Sequence, residues 1–164
     1  MLKRKSVQSD DYRNAMAHYA GHVQLVTTSH EGVQRGVTVT AACSVSDDPP
    51  IVLVCLNRHN PNNRIFLDSS KFAVNTLASQ HQSMAAAFAG FDNKDADARF
   101  AMGEWDTIST GAPTLTDAMA VFDCNLLDHK EMATHMVLFG EVAGLRVGDM
   151  QPALVFMDRE WRTL

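Results

Sequence analysis

An eleven-residue run of small side chains, GVTVTAACSVS from Gly36 to Ser46, constrains this chain more than any other stretch. No side chain in it is larger than valine, and four of the eleven carry a hydroxyl group. Valine and threonine favour a strand, but a strand that fills a hydrophobic core normally carries larger side chains. Two explanations are open: another part of the protein packs closely on the segment, or a flat, rigid ligand lies across it.

The elements around this run are mostly strands. The DDPP that ends at Pro50 interrupts the strand, because proline donates no amide hydrogen bond. The apolar run IVLVCLN then predicts a strand covered on both faces. Upstream, the pattern predicts an amphipathic helix over Ser9–Ala20 and a hairpin with its turn at HEG. Pro61 suits the first turn of a short helix that runs to Ser69, and KFAVNTL is a further strand.

The second half of the chain adds one helix and several long strands. Alanine-rich Gln80–Phe91 predicts a helix, and the FDNKDADA that starts at Phe91 predicts a polar surface loop. Ala118–Leu127 and Thr134–Val147 predict two long strands with a turn near Lys130, and ALVFMD predicts one more. Because strands dominate without regular βαβ alternation, the sequence predicts a mainly β fold with short helices, an antiparallel barrel.

Composition narrows the class of protein. A chain of 164 residues that is 46% hydrophobic predicts a single domain, 1–164, with a flexible tail at 1–8. The net charge of −5 argues against a nucleic-acid partner. Three widely spaced cysteines argue against disulfides and a metal site, and favour the cytoplasm. No apolar run approaches the length of a membrane span, and no secretory signal is expected.

The usual nucleotide cradles are missing, since neither GxGxxG nor a P-loop occurs. If a planar ligand lies on the small-residue run, backbone groups and the hydroxyls of Thr38 and Thr40 would meet its polar edges. Isoalloxazine fits this description, because backbone amides near its ring nitrogens tune it without ionisable side chains.

The segment CLNRHNPNN, which starts at Cys55, allows two interpretations. Asparagine favours turns through hydrogen bonds to its own backbone, so the segment is explained by a turn alone. It is explained equally by a phosphate and ribityl site, in which Arg58 supplies a charge-assisted bond and Asn57, Asn62 and Asn63 supply amides. His135, just after the predicted hairpin turn, is either structural or a residue that orients nicotinamide or donates a proton.

Several of these blocks occur together in a known family. GVTVTAACSVSDDPPIVLVCLNR, KFAVNTL followed by AAAFAG, and TGAPTLTDAMAVFDC followed by THMVLFGEV resemble the small flavin reductase family, over nearly the whole chain. The resemblance implies an FMN-binding split β-barrel, a homodimer, and hydride transfer from NADH or NADPH to FMN, with FAD as the other candidate flavin. Reduced flavin would pass to a partner oxygenase or another acceptor.

The resemblance also implies the site. His135 is the expected catalytic residue, near the nicotinamide, and the helix matching AAAFAG closes over the flavin. The expected flavin-binding residues come from three segments: Thr38, Val39, Thr40 and Ala41; Cys55, Leu56, Asn57, Arg58, Asn62 and Asn63; and Ala87 and Phe88.

The match has departures, and these leave alternatives open. Ala42 and Cys43 stand where an aromatic and a hydroxyl residue are common, HNPNN replaces a loop richer in Ser and Thr, and Trp161 replaces a frequent tyrosine. One alternative is a reductase with tightly bound prosthetic FMN that acts on an acceptor such as a cobalt corrinoid. Others are a non-catalytic flavin- or haem-binding barrel, and a structural barrel without a cofactor.

Overall fold

The computed structural model describes residues 6–164, so the first five residues of the predicted tail lie outside the described part. Helix α1 is Ser9–Ala17, α2 is Ile65–Asp68, α3 is Gln82–Ala89 and α4 is Ala96–Phe100; Pro61–Arg64 and Ser79–His81 are short 3-10 helices. The strands are β1 (Gly21–His22), β2 (Gln24–His30), β3 (Val33–Val39), β4 (Ala42–Asp47), β5 (Pro50–Asn57), β6 (Lys71–Thr76), β7 (Trp105–Asp106), β8 (Thr114–Leu115), β9 (Ala120–Met132), β10 (His135–Val147), β11 (Leu154–Met157) and β12 (Glu160–Thr163).

Seven strands form one antiparallel sheet in the order β3-β2-β6-β9-β10-β5-β4. The sheet curls until β3 contacts β5, and the amide of Cys55 donates to the carbonyl of Ala41 at 2.9 Å. A small sheet, β1-β11-β12, and the pair β7-β8 lie beside it. The prediction of a largely antiparallel barrel with short helices is confirmed.

Two hydrophobic cores hold the fold. One fills the barrel and includes the fully buried Leu56, Phe66 and Phe72. The other lies outside the barrel wall, where Phe88 of α3 and Phe100 of α4 pack on β2 and β6. In the described part of the chain no helix is long and apolar enough to cross a membrane.

Several boundaries differ from the sequence prediction. The predicted helix Gln80–Phe91 is a 3-10 turn followed by α3, which ends at Gly90 with a φ of 84°. The predicted loop after Phe91 is wrong from Ala96 onward, because the Asp95 side chain accepts from the amide of Ala98 and caps α4. Strands β9 and β10 continue past Lys130 and turn at Ala133, whose φ is 49°.

Candidate functional site

The end of β5 and the start of β10 bring two predicted site residues side by side. Asn57 lies directly opposite His135, and Cys55 directly opposite Val137. Residues two apart on a strand share a face, so all four side chains point outward from the barrel. Asn57 and His135 are exposed, whereas Cys55 is half-buried. The Nδ1 of His135 lies 2.8 Å from the hydroxyl of Thr134, which fixes the orientation of the ring.

The link between β3 and β4 borders this outward face. Thr40 and Ala41 are exposed, and the carbonyl of Ala41 is bound to the amide of Cys55. Among residues 6–164 the backbone amides of Thr40 and Ala41 find no acceptor. An exposed N–H without a partner in the protein is available to a ligand. The link therefore offers two adjacent donors next to the Asn57–His135 pair.

The first half of the small-residue run has a different neighbour. Thr38 donates its hydroxyl hydrogen to the carbonyl of Ala85 in α3, at 2.8 Å. A Cβ on Gly36 would lie 2.5 Å from a ring carbon of Phe88. Close helix packing therefore explains Gly36 and Thr38, while Thr40 and Ala41 remain open to solvent. Helix packing accounts for the first half of the run, and ligand contact at Thr40 and Ala41 stays a prediction.

Some predicted site residues have side chains inside the protein. Leu56 and Ala87 are fully buried, Phe88 is 4% exposed, and Val39 packs against the barrel core. Phe88 meets Phe100 edge to face, with ring centroids 5.1 Å apart. These residues place the strand and helix on which the site is built, and any contact with a ligand would come from their main chain.

Hydrogen bonds within the loop after β5 account for several of its asparagines. The Asn57 side-chain oxygen accepts from the amide of His59, and that of Asn60 accepts from the amide of Asn62. Buried Asn63 donates from Nδ2 to the carbonyl of Asn57 at 2.9 Å. These hydrogen bonds are those expected of an asparagine-rich turn. The Nδ2 group of Asn57 takes no part in them and is available to donate to a ligand.

Arg58 ties this loop to the β9–β10 hairpin. Its guanidinium lies 2.9 Å from a carboxylate oxygen of Glu131 and donates to the carbonyl of Ala133 at 3.3 Å. The positive charge predicted for a phosphate site is thus already paired with a carboxylate. A role for Arg58 in phosphate binding stays a prediction.

A small apolar cavity of about 160 Å³ lies beside Thr40 and was not predicted from the sequence. It is lined by Thr38, Val39 and Ala89 together with Phe91, Phe156 and Trp161. Trp161 meets Phe156 and Phe91 edge to face at 5.0 and 6.2 Å between centroids. Trp161 in the last strand is the residue that could have indicated this cavity. It is far from Thr40 in the sequence, so the sequence does not show that the two residues line the same cavity.

The thiol of Cys55, on the same face, is a poor nucleophile. Burial, and to a smaller degree the neighbouring Cys43, raises the pKa of the Cys55 thiol. A thiol with a raised pKa carries little thiolate at neutral pH. The face therefore offers hydrogen-bond donors, an imidazole and apolar surface, which suit binding and orientation of a planar ligand better than covalent catalysis.

A larger cavity, of about 510 Å³, opens at the other end of the barrel. Apolar residues of five strands line it, among them Val52, Val74, Phe122 and Val142. None of the predicted site residues lines this cavity. A search for the site by cavity volume alone would therefore miss the Asn57–His135 face.

Comparison with known proteins identifies the family to which this chain belongs. The family described as flavin reductase like domain matches residues 16–164. The chain is 38% identical over 162 residues to the FMN reductase (NADH) RutF of Pantoea ananatis, covering 99% of this chain and 84% of that protein. It is 40% identical over 160 residues to RutF 2 of Methylorubrum extorquens strain PA1, covering 98% and 92%.

A solved structure gives the same result for the fold. The chain superposes with a TM-score of 0.86 and 28% identity on BorF, the flavin reductase component of a bacterial two-component tryptophan halogenase. The match covers 96% of this chain and 98% of BorF.

Proposed function

This chain belongs to the flavin reductase like domain family, and from that premise we propose that it is an NADH-dependent FMN reductase. The observation that carries the proposal is the pair of unpartnered amide donors at Thr40 and Ala41. A hydrogen bond from the amide of Cys55 to the carbonyl of Ala41 attaches these residues to β5. They therefore lie next to the face on which Asn57 and His135 are paired.

The residues of this face fit a flavin. Isoalloxazine has carbonyl oxygens and a ring nitrogen along one edge, and these need donors rather than charges. The amides of Thr40 and Ala41 and the Nδ2 group of Asn57 are donors of this kind. The aromatic cavity at Phe156 and Trp161 offers apolar surface to a ring. Thr38, Val39, Cys55 and Leu56, together with Ala87 and Phe88 of α3, hold these groups in place.

The protein's part in the reaction is binding and orientation. Bound flavin supplies the acceptor for a hydride from the nicotinamide, so the chain needs no strong acid or base. His135 is held by Thr134 at the edge of the face, where its imidazole can hydrogen-bond a carboxamide or a ring edge. Holding two rings in reacting geometry is itself a large part of such catalysis.

We propose that the flavin is diffusible and that the reduced form leaves for a flavin-dependent oxygenase. The support is BorF, the reductase component of a two-component halogenase, together with the open, solvent-exposed setting of Thr40, Ala41 and Asn57. Tightly bound FMN with a corrinoid acceptor is the second candidate. Its support is the cavity at the barrel end, which is separate from the flavin face.

We also propose a homodimer in the cytoplasm. The barrel end is lined by apolar side chains, and Val45, Leu145 and Val147 are 48%, 57% and 79% exposed. A second copy would remove this surface from water. The free thiols of all three cysteines suit a reducing compartment.

NADH consumption with and without added FMN tests the proposed activity, on protein whose visible spectrum is recorded first. Colourless protein that oxidises NADH only when FMN is added supports a reductase with diffusible flavin. Protein that is yellow as purified, and slow until a corrinoid is supplied, supports the second candidate. Flavin binding without NADH oxidation would leave a non-catalytic flavin-binding barrel, and neither binding nor oxidation would reject the proposal.

A further inference from the structure

Strand β9 adds a lysine to the face that carries His135. The sequence pattern predicts a turn near Lys130, but in the structure β9 continues to Met132, so Lys130 lies within the strand. Its partner across the ladder is Val137 of β10, and Val137 is paired on its other side with Cys55 of β5. Cross-strand partners point to the same side of a sheet. Lys130 therefore shares the outer face of the barrel with Cys55 and Val137.

A shift in register turns Lys130 outward. Before the shift, Leu126 points towards the barrel core and is paired with Gly140. The neighbouring Phe139 is paired with Asp128, so β9 has one extra residue at this point. A bulge of one residue reverses the side to which the following side chains point. Without it, Lys130 would extend from the inner side of the sheet.

Lys130 is a diagonal neighbour of His135. The two lie on adjacent strands, because Lys130 is paired with Val137, two residues from His135 on β10. Diagonal neighbours on one face are about 7–8 Å apart, within reach of a long side chain. Across the sheet, Lys130 lies on one side of His135, and the amides of Thr40 and Ala41, next to β5, lie on the other.

The ammonium group of Lys130 has no carboxylate partner. Within residues 6–164 no acidic side chain lies within ion-pair distance of it. The nearby carboxylates have partners of their own, since Asp128 accepts from the amide of His129 and Glu131 is paired with Arg58. The chain has a formal net charge of −5, so this unpaired cation is a local feature of the face.

The hydride donor brings negative charge to this side of the face. NADH consists of a nicotinamide riboside joined to adenosine through a diphosphate, which is negatively charged at neutral pH. When the nicotinamide lies beside His135 over the flavin, the diphosphate extends beyond the two rings. An ammonium group makes strong, charge-assisted hydrogen bonds to phosphate oxygens. Lys130 stands where such a bond can form, on the side of His135 away from the amides of Thr40 and Ala41.

We infer that Lys130 binds the diphosphate of NADH, an inference that rests on the proposed function and extends its site by one strand. The diphosphate is remote from the carbon that gives up the hydride, so this contact is the same in the substrate complex and in the transition state. Loss of such a contact raises KM and leaves kcat unchanged. A residue that contacted the reacting rings would change kcat as well.

Steady-state kinetics with two hydride donors test this inference on the full chain. NADH contains the diphosphate, whereas N-benzyl-dihydronicotinamide has the same reacting ring and no phosphate. At saturating FMN, Lys130→Gln should raise the KM for NADH about 5-fold or more, with kcat within about twofold of wild type. The kcat/KM for the benzyl compound should change less than twofold, which also reports that the variant is folded.

Ionic strength and two further variants give independent readouts. Added salt should raise the KM for NADH in the wild type, because it screens an exposed charge pair, and should have a smaller effect in Lys130→Gln. Lys130→Arg keeps the positive charge and should retain most of the affinity for NADH. Arg64→Gln is the matched control, because it removes one positive charge from an exposed arginine that pairs with Asp68. It should leave the KM for NADH unchanged.

An unchanged KM for NADH in Lys130→Gln would overturn the inference. So would equal losses with the two hydride donors, which would assign Lys130 to the reacting rings, or an equal rise in KM in Arg64→Gln. In those cases NADH is still oxidised and the proposed function stands. A wild type that oxidises neither donor in the presence of FMN would reject the proposed function along with the inference.

Discussion

His135 stands directly opposite Asn57 in the β5–β10 ladder, with both side chains on the outer face of the barrel. Residues 78 positions apart in the sequence are thereby brought to the distance of a cross-strand pair, about 5 Å between Cβ atoms. The amide donors of Thr40 and Ala41 border the same face through the bond from Cys55 to Ala41. These two side chains and two amides together form the face on which we propose that flavin binds.

Replacing His135 tests its place in the reaction. His135→Ala should lower kcat/KM for NADH roughly 10- to 100-fold, because the nicotinamide loses a group that orients it. The melting temperature should stay the same, since the side chain is exposed. Steady-state kinetics at saturating FMN, with a thermal melt, make the measurement. His129→Ala in the same hairpin is the control and should retain wild-type kcat/KM; an unchanged kcat/KM in His135→Ala would remove His135 from the mechanism.

Gly36 tests the close packing of α3 on β3. Gly36→Ala should lower the free energy of unfolding by about 1–3 kcal/mol, because the new Cβ overlaps the ring of Phe88. Urea denaturation measures the change. Ser44→Ala, at an exposed position of the same small-residue run, should stay within about 0.5 kcal/mol of wild type.

A double mutant identifies the cause of that loss. In Gly36→Ala/Phe88→Leu the smaller side chain gives the Cβ room, so the combined loss should be less than the sum of the two single losses. Strict additivity would show that Phe88 is not what excludes a side chain at position 36.

Cys124 predicts a pH dependence of stability. Burial, and then the charge of Asp123, raises the pKa of this thiol to about 12. The pKa of this thiol in the folded state lies above its value of about 8.5 in the unfolded state. Below a pH of about 8.5 the thiol is protonated in both states, and its contribution to the free energy of unfolding is complete. The free energy of unfolding should therefore fall as the pH rises from about 8.5 towards 12, by up to about 1.4 kcal/mol per pH unit.

The slope separates Cys124 from the other thiols. Cys124→Ala should flatten the dependence of unfolding free energy on pH between 9 and 11, whatever its effect on stability at neutral pH. Cys43→Ala, at an exposed position, should keep the wild-type slope. A wild-type slope in Cys124→Ala would show that this thiol is not shielded from deprotonation.

Alkylation maps the flavin face through its two thiols. With iodoacetamide Cys43 should react first and Cys55 more slowly, because burial raises the pKa of Cys55. Saturating FMN should slow Cys55 about fivefold or more, since this thiol lies on the proposed flavin face. Cys43 also lines the barrel-end cavity, so its protection alone does not distinguish the two sites. Buried Cys124 is the internal control and should stay unlabelled in the folded protein. Peptide mass spectrometry measures the rates, and protection of neither thiol by FMN would place the flavin elsewhere.

The sequence was sufficient for most of the strands. The β-branched runs and the Pro49–Pro50 break mark where β4 ends and β5 begins, because these signals are local. Asn57 and His135 lie near the ends of predicted strands, but their pairing appears only in the structure. The family resemblance supplied the split β-barrel, which periodicity alone does not contain.

Features that depend on distant contacts were not predictable in this way. The sequence alone predicts a ligand contact at Thr38, but in the structure its hydroxyl binds the carbonyl of Ala85 in α3. Phe88 of the same helix packs against Gly36. The sequence predicts a loop at helix α4, because the five residues of this helix depend on the Asp95 cap more than on periodicity.

Amide NMR of the full chain, with and without FMN, tests the central claim most directly. If flavin binds on the Asn57–His135 face, the largest chemical-shift changes should fall on the backbone amides of Thr40 and Ala41 and on the side-chain amide of Asn57. Changes that cluster instead around the barrel-end cavity, at Val52, Phe122 and Val142, would contradict the account.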